Sequence, residues 1–420
     1  MTDHEVITET GRPPLPFGVK ILLSALFASS MANRAQLVAL GLLVFDVTGR
    51  EIDLGLLGLA EFAPLFIMAP FSGSASDRFD RRVVYLLGLL VEIAAAAMLL
   101  FYARNPAASI GPILGLVVVF GIARSFVAPA SRALPIDLAP AGTVERVVAL
   151  RSVSFQVAGI LGPILVGQLF RFGRWWPFLV SVIGFSIAAL TLQLVPQSEV
   201  RRLTTPKGPR QAIRDAIDGL RFMRRSPVVF GAISLDLFAV LFGGAVVLLP
   251  AIGEKRLGVD EAAVGMLYSA VGVGALITAS ILSVRPIRRR VGLSLFASIT
   301  VFGLATIALG LTTNYIVALV AIMALSSADA VSVFVRATIV PLATPEDMRG
   351  RILAVENIFI GGSNELGSLE SGLTAGWFGL APAVVFGGLG TLVVVGLWMY
   401  RFPELRRIDR FEEVRAGPAA

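Results

Sequence analysis

Long apolar runs separated by short polar segments constrain the fold of this chain more than any other feature of its sequence. Each run holds close to the ~20 residues that a helix needs to cross the hydrocarbon core of a bilayer. Of the 420 residues, 56% are hydrophobic and only 15% are charged, whereas soluble domains average roughly 45–50% and 25%. The sequence therefore predicts an all-α integral membrane protein.

Twelve such runs can be counted, each ended by charged residues, Gly or Pro. We place the membrane spans at residues 19–47, 54–73, 83–103, 111–135, 148–170, 175–195, 227–250, 261–284, 291–312, 314–340, 351–377 and 382–402. The longest loop divides them into two sets of six. The predicted parts are a tail 1–18, a six-helix bundle 19–195, a linker 196–226, a second six-helix bundle 227–402 and a tail 403–420.

Basic residues are distributed unequally between the two ends of the spans. Most of the 36 Lys and Arg residues fall on the side that carries both termini. Six fall in loops on the other side: Arg50, Arg104, Arg171, Arg174, Lys255 and Arg256. Cytoplasmic loops carry such an excess, so we expect both termini in the cytoplasm. The net charge of +7 is then a topology signal and predicts no nucleic-acid partner.

Several classes of function are excluded by composition. The chain has no Cys, and its only His is His4 in a polar tail, so thiolate chemistry, disulfides and His-based metal sites are ruled out. No nucleophile with a base and no phosphate-binding loop is present, and we expect neither an enzyme nor a cofactor. The first 18 residues lack a basic n-region and a cleavage site, so the first span is expected to remain as an uncleaved anchor.

The linker contains one segment with helical periodicity, residues 211–225. Ile213, Ile217, Leu220 and Met223 lie at helical spacing. The segment is interpreted either as an amphipathic helix on the anionic cytoplasmic leaflet or as a solvated linker.

The two halves of the chain repeat one another. A shift of 205 positions aligns Pro140 with Pro345 and Gly162 with Gly367, among other pairs. A parallel duplication of six spans is typical of transporters, whose substrate site lies near the midplane between the halves.

Ionisable residues within the spans are the strongest signal of a site, because each costs roughly 2.5–3.5 kcal/mol at a helix centre on insertion scales. The bases are Arg34, Arg124 and Arg336, and the acids are Glu61, Glu92, Asp236, Asp329, Glu356, Glu365 and Glu370. Since acids are in excess, some must be protonated, reach loop cations or face water. A buried carboxyl group of this kind is a natural proton carrier.

The loop between the second and third spans carries a motif. Gly73, Asp77, Arg78, Arg81 and Arg82 form the pattern G-x-x-x-D-R-x-x-R-R, which resembles the signature loop of the major facilitator superfamily. Asp80 stands where that pattern has a second Gly, and we expect it to adopt the left-handed backbone that Asp tolerates. The resemblance implies that Asp77 docks on the loop-facing end of span 11 and, with the Arg residues, holds a cytoplasmic gate shut.

By the same resemblance, spans 1, 4, 7 and 10 line a central cavity. That places Arg34, Arg124, Asp236 and Asp329 around one water-accessible opening, where opposite charges at pseudo-symmetric positions are expected to pair across the halves or only to pin helices together. Asp236 is the first candidate for the group that carries a proton, and Glu92 or Glu61 is the second. Glu365, on the glycine-rich span 11, is interpreted either as a cavity charge or as part of a packing hinge.

Span 5 contains Gly159, Gly162, Pro163 and Gly167. A Gly-Pro pair breaks the helical hydrogen-bond ladder and bends a span. The segment resembles the antiporter signature of the superfamily's drug exporters, except that Val166 replaces a glycine, and the resemblance favours export.

The likeness to the superfamily covers most of residues 17–405. Within the superfamily, the chain is similar to the branch of siderophore and drug exporters. It implies a monomer in the bacterial inner membrane, surrounded by lipid, that exports a small organic molecule by alternating access in exchange for protons. Two alternatives are uptake by proton symport and a membrane sensor that transports nothing.

Overall fold

The structure, a computed structural model, describes residues 15–140, 142–195 and 209–414, without the side chains of Pro70, Asp77 and residues 209–213. This part of the chain is almost entirely helical and has no strand. Most of the predicted N-terminal tail, the end of the C-terminal tail and the first part of the linker lie outside the described residues. The helices are α1 Phe17–Thr48, α2 Glu51–Arg78, α3 Arg81–Tyr102, α4 Ile110–Leu138, α5 Val144–Phe170, α6 Trp176–Gln193, α7 Pro209–Arg225, α8 Pro227–Phe242, α9 Leu249–Ala251, α10 Glu261–Val284, α11 Val291–Leu311, α12 Tyr315–Leu342, α13 Glu346–Phe378, α14 Leu380–Arg401 and α15 Pro403–Arg407.

Twelve of the helical segments in this part correspond to the twelve predicted spans. Eleven are long and apolar enough to cross a membrane, with Pro227–Leu257 counted as one. That one continues from α8 through a 3-10 turn, α9 and a π-helical turn, Ile252–Leu257. The twelfth is α13, whose 33 residues are more than long enough but carry several acids. The prediction of an all-α membrane fold with two six-helix sets is confirmed.

The loop expected at residues 73–82 is mostly helix. α2 continues to Arg78, so only Phe79 and Asp80 separate it from α3. Asp80 has φ −62° and its carboxylate accepts a hydrogen bond of 2.8 Å from the backbone N–H of Arg82. The expectation of a left-handed Asp80 was therefore wrong, because Asp80 is the N-cap of α3, a position that favours extended backbone.

The spans form two bundles, α1–α6 and α8–α14, which meet through two pairs of helices. α2 packs against α13, and α5 packs against α10. Glycines allow both approaches: a Cβ atom on Gly55 would lie 3.1 Å from the Cα of Gly372, and one on Gly167 would lie 3.0 Å from the Cα of Gly265. We call the face at which α1 begins and α14 ends the terminal face, and the other the opposite face. These glycine contacts lie toward the opposite face.

The bundles separate toward the terminal face. From Gly162 onward, α5 buries Gly162, Pro163, Val166 and Gly167 in contacts with its neighbours. Over its first three turns, by contrast, only the side that holds Val147 is buried, and exposed residues cover the rest of the helix. So wide an exposed surface shows that α5 has lost its contact with α10 in this half, and the space between the bundles is open at the terminal face.

The helix predicted in the linker is α7, which packs on the second bundle. Phe222 and Met223 are buried in the same apolar cluster as residues of α8 and α13. Arg351 of α13 forms an ion pair of 3.2 Å with Asp215. Leu220 and Met223 on the apolar side of α7 are thus covered by protein, whereas Ile217 is exposed. The segment is therefore a packed helix rather than a solvated linker, and its position on the cytoplasmic leaflet stays a prediction.

A C-terminal segment, Pro403–Val414, also packs on the terminal face. Asp409 accepts a hydrogen bond of 3.0 Å from the backbone N–H of Arg290 and pairs with Arg289 at 3.2 Å. Arg290 has a left-handed backbone, φ 56°, immediately before α11. The loop of the second half that corresponds to the Gly73–Arg82 motif has no acid of its own, and Asp409 supplies one from the C-terminal segment.

Candidate functional site

A cavity of about 510 Å³ lies between the two bundles. Its walls come from α1, α2 and α4 of the first bundle and from α8, α10, α12 and α13 of the second, and they combine apolar and polar side chains. The polar lining residues are Arg34, Glu61, Arg124, Tyr268, Ser326, Asp329, Asn364, Glu365 and Ser368. Of the four charges predicted to share one opening, the cavity therefore brings together Arg34, Arg124 and Asp329, and it also holds the further candidates Glu61 and Glu365.

Arg124 of α4 and Glu61 of α2 form an ion pair in the wall of the first bundle. Gly121, one turn before Arg124, brings the helices together: a Cβ atom there would lie only 2.6 Å from the carbonyl oxygen of Glu61. The predicted pairing of Arg124 with an acid at the pseudo-symmetric position of the other half is not observed. Its ion-pair partner is in its own bundle, because α2 and α4 are in direct contact.

Glu365 of α13 is the acid that crosses between the bundles. It meets α2 at Gly58, where a Cβ atom would lie 3.1 Å from its Oε2. Gly58 is one turn from Glu61, so the Glu365 carboxylate is within electrostatic reach of Arg124. The Arg124 guanidinium thus pairs with Glu61 of its own bundle and is within electrostatic reach of Glu365 of the other bundle.

Arg34 of α1 is held without an acidic partner in the described part of the chain. Its Cβ atom packs at Gly162 of α5, and its guanidinium lies 4.4 Å from the centre of the Phe155 ring. A guanidinium cannot be neutralised by losing its proton in a protein. Arg34 therefore presents a permanent positive charge to the cavity.

Asp329 of α12 lines the second bundle's side of the cavity. Next to it is a much smaller cavity of about 10 Å³, which is lined by Asp236, Asp329 and Ser332 among others. The Ser332 hydroxyl lies 3.4 Å from Oδ1 of Asp236. Asp236 thus lies behind the cavity wall, and the structure does not place it in the opening where it was expected.

Asp236, Arg336 and Glu356 form a buried group inside the second bundle. Arg336 pairs with Asp236, and its Nε lies 3.0 Å from Glu356 Oε1. All three residues are buried. The sequence identified each residue as a charge within a span but did not predict their pairing. The signal that could have predicted it is that a lone Arg within a span needs a nearby acid.

Glu92 lies in the interior of the first bundle, away from the cavity. It is fully buried, and neither carboxylate oxygen has a hydrogen-bond partner in the described part of the chain.

The motif residues between α2 and α3 lie at the terminal face. Arg81 donates two hydrogen bonds, 2.8 and 2.7 Å, to Asp137 at the end of α4. Arg82 donates to the carbonyl of Gln193, while Arg78 and Gly73 are accessible. The predicted docking of Asp77 on span 11 lies outside the described side chains. Sequence reasoning missed Asp137, since nothing in the local sequence links the end of α4 to this loop.

In span 5, Gly162 and Gly167 are contact positions. Gly162 faces α1 at Arg34, and the carbonyl of Pro163 would lie 2.5 Å from a Cβ atom on Gly265 of α10. Gly159 also adjoins α10, at Gly272. The motif thus lies where the bundles meet.

Two ion pairs join the bundles at the opposite face. Lys255 pairs with Glu51 at 2.8 Å, and Arg171 pairs with Asp260 at 3.5 Å. Together with the glycine contacts, they close the cavity on that side.

Known proteins resemble this chain along nearly its whole length. The sequence model of a family described as "Transmembrane secretion effector" matches residues 14–416. The enterobactin exporter EntS of Shigella boydii is 26% identical over 391 residues, which cover 88% of this chain and 92% of that protein. YfiS of Bacillus subtilis, an uncharacterized MFS-type transporter, is 24% identical over 400 residues, 90% of this chain and 92% of that protein.

Solved structures share the fold at low identity. The nucleoside transporter NupG superposes with a TM-score of 0.73 at 13% identity, over 92% of this chain and 99% of that one. A bacterial homologue of the lysosomal transporter Spinster, in an inward-facing and unoccupied conformation, has a TM-score of 0.70 at 15% identity, over 96% and 99% of the chains.

Proposed function

The chain belongs to the transmembrane secretion effector family of the major facilitator superfamily, and from this premise we propose that it exports a small organic molecule from the cytoplasm in exchange for protons. That the protein is a multi-pass membrane transporter follows from its family. The observation that carries the proposal is the charged cavity between the bundles, closed at the opposite face and open at the terminal face.

The distribution of basic residues supports a cytoplasmic terminal face. With that orientation, the open cavity faces the cytoplasm and can load a substrate there. Rocking of the two bundles about the cavity would then break the contacts at the opposite face and release the substrate outside. The name of the relative EntS, an exporter, supports the same direction.

The position of Glu365 supports coupling to protons. Arg124, the cation whose charge acts on it, is on the other bundle, so opening the opposite face moves the two apart. A carboxylate that loses its cation in a site of low polarity takes up a proton, and it releases the proton when the cation returns. We therefore assign the proton that exchanges with substrate in the cavity to Glu365, with Asp329 as the second candidate. Asp236 follows them, since Arg336 already neutralises it.

The cavity also supports a class of substrate. Arg34 favours an anionic or oxygen-rich group of the substrate, and Glu365 and Asp329 favour hydrogen-bond donors. The remaining wall is largely apolar. The volume of about 510 Å³ is within the range of ligand pockets, roughly 300–1,000 Å³. An amphiphilic molecule that carries both an anionic or oxygen-rich group and hydrogen-bond donors, such as a siderophore or a drug of that type, fits this lining.

A substrate of this kind can exchange with a proton at Glu365. In the loaded protein, donor groups of the substrate satisfy the carboxylates, and in the empty protein a proton does so. Because the two cannot occupy Glu365 together, each excludes the other, which is the condition for antiport.

Accumulation of a panel of siderophores and amphiphilic dyes in cells with and without the protein tests the proposal. We expect at least one compound to accumulate less when the protein is present, and a protonophore to remove the difference. Greater accumulation with the protein would indicate uptake. A compound that binds the purified protein but shows no counterflow in vesicles would indicate a sensor.

A further inference from the structure

A second group of polar residues is enclosed in the first bundle and takes no part in the cavity. Gln36 of α1 and Glu92 of α3 are fully buried, and none of their four side-chain N and O atoms has a hydrogen-bond partner in the described residues. The buried hydroxyl of Tyr85 lies next to Ser29 and has no further hydrogen-bond partner in the described residues. Buried polar atoms in native proteins are satisfied in the great majority of cases, which makes this group a candidate site for a bound proton or water.

The register of the two helices places these residues at one level of the bundle. α1 and α3 both begin at the terminal face and are therefore parallel. The Tyr85 hydroxyl of α3 faces Ser29 of α1. Gln36 and Glu92 each follow seven residues later, two turns farther along the same side of each helix. The carboxamide and the carboxyl group therefore lie at the same depth of the bundle, on the sides of α1 and α3 that hold Ser29 and Tyr85.

Among the described residues, no charged side chain balances Glu92 there. α3 packs against α4 and α6, and α6 has no charged residue between Trp176 and Gln193. Arg124 of α4 is paired with Glu61, and Arg34 of α1 lies at Phe155, so both face the cavity. The ionisable neighbour of Glu92 is Tyr85. An ionised carboxylate without a partner in such surroundings costs several kcal/mol.

The charged surroundings of Tyr85 extend toward the terminal face. Besides Glu92, the charge that acts on the Tyr85 hydroxyl is that of Arg151 of α5. Arg151 is half-buried and has Arg132, near the exposed end of α4, as its own neighbour. Tyr85 thus stands between Glu92 and side chains that reach the water at the terminal face.

We propose that Glu92, with Gln36 and Tyr85, forms an occluded proton-binding site in the first bundle that is separate from the substrate cavity. One proton binds to the Glu92 carboxylate, and the resulting acid donates its O–H to the Gln36 carboxamide oxygen. The Tyr85 hydroxyl passes the proton to and from the terminal face. No bond other than O–H forms or breaks, so the step needs no co-reactant.

Helix α1 connects this site with the substrate. Arg34 and Gln36 are two residues apart and therefore lie on nearly opposite sides of α1. A shift of α1 that follows substrate binding at Arg34 would move Gln36 relative to Glu92 and weaken the acid's hydrogen bond. The inference rests on the proposed function for its role in transport, whereas the bound proton itself does not depend on it.

The test combines infrared spectroscopy of the purified full-length protein with transport in vesicles. The carbonyl stretch of a protonated carboxyl group should be present at neutral pH in the wild type and in the control Glu412→Gln, an exposed Glu on the terminal face, but reduced in Glu92→Gln. It should shift when an exported compound is added. A spectrum of Glu92→Gln identical to that of the wild type would overturn the site, and a band that no substrate changes would make Glu92 a structural acid only and overturn its role.

The transport measurement separates this inference from the proposed function. In vesicles, a pH gradient should accelerate export by the wild type. Glu92→Gln should reduce this acceleration at least ten-fold, and Tyr85→Phe, which keeps the ring, should reduce it several-fold. Full acceleration in Glu92→Gln would overturn the inference and leave the proposed function standing. If the wild type itself shows no acceleration, proton exchange fails, while the infrared band still decides whether Glu92 holds a proton.

Discussion

Glu365 of the second bundle reaches the first bundle at Gly58, where a Cβ atom would lie 3.1 Å from its Oε2. The absence of a side chain on α2 at this point lets the carboxylate enter the neighbourhood of Arg124. The same contact helps to close the cavity toward the opposite face. Glu365 thus has two parts in the account. It carries the charge that we assign to proton coupling, and it takes part in the packing that closes the opposite face.

Gly58→Val should therefore shift the protein toward a conformation open at the opposite face. The added methyl groups would meet Glu365 and Ser368, and overpacking of this kind costs about 1–3 kcal/mol, roughly a five- to hundred-fold shift in population. Since the chain has no Cys, a single Leu42→Cys, buried near the opposite face, reports opening by its rate of maleimide labelling. Gly115→Val is the control, because a Cβ atom on Gly115 would meet no side chain or other helix of the described residues within 4 Å. Equal labelling in both variants would contradict the expectation.

Arg34→Gln should abolish export of a compound that the accumulation panel identifies, because it removes the only cavity guanidinium that has no acidic partner in the described residues. Arg34→Lys keeps the charge but loses the planar group over Phe155 and should retain part of the activity. Phe155→Leu should weaken binding about two- to five-fold, since a cation–π contact at an accessible site contributes roughly 0.5–1 kcal/mol. Affinity measured by titration of the purified protein checks the series. Wild-type affinity in Arg34→Gln would remove this residue from the substrate site.

Arg336→Met should destabilise the second bundle strongly. It leaves Asp236 and Glu356 buried without their cation, and breaking a buried ion pair in this way costs about 3–5 kcal/mol. Adding Asp236→Asn and Glu356→Gln to Arg336→Met should recover most of the loss, because no uncompensated charge then remains. The midpoint of thermal denaturation in detergent measures both effects, with Arg285→Met, at an exposed Arg, as the control. A triple variant no more stable than Arg336→Met would show that the charges are not the cause.

Asp409→Asn should make the stability of the second bundle less sensitive to acid. The hydrogen bond from the Arg290 backbone, and then the Arg289 side chain, lower the pKa of Asp409 from its ordinary value. A group with a lowered folded-state pKa stabilises the fold above its unfolded value of about 3.9 and loses that contribution as the pH falls through the folded value. The midpoint of Asp409→Asn should therefore lie below that of the wild type at about pH 6 and approach it below about pH 3. Glu412→Gln should follow the wild type throughout. A constant difference at all pH values would contradict the charge-based account.

The twelve helices could be predicted from the sequence because a bilayer requires apolar runs of a fixed length, and even α13 was recognised despite its acids. The partners of the charges could not. Arg124 meets Glu61 because Gly121 lets α4 approach α2, and Arg81 meets Asp137 because two distant helix ends coincide at the terminal face. Both contacts depend on tertiary geometry that no local pattern records.

The structure leads us to rank the proton candidates differently, and one other expectation was wrong. We propose Glu365 ahead of Asp236 because Arg336 pairs with Asp236, whereas Arg124 lies on the other bundle from Glu365. Asp80 was expected in a left-handed turn, yet α2 extends far enough for Asp80 to cap α3 instead.

The sign of substrate movement in inverted membrane vesicles, whose outer surface is the cytoplasmic one, tests the central claim most directly. With a pH gradient acidic inside, the account predicts that an identified compound accumulates in the lumen and that the lumen becomes more alkaline as it does. Glu365→Gln should lose both effects. Accumulation only when the gradient is reversed, or accumulation with no movement of protons, would contradict export by proton exchange.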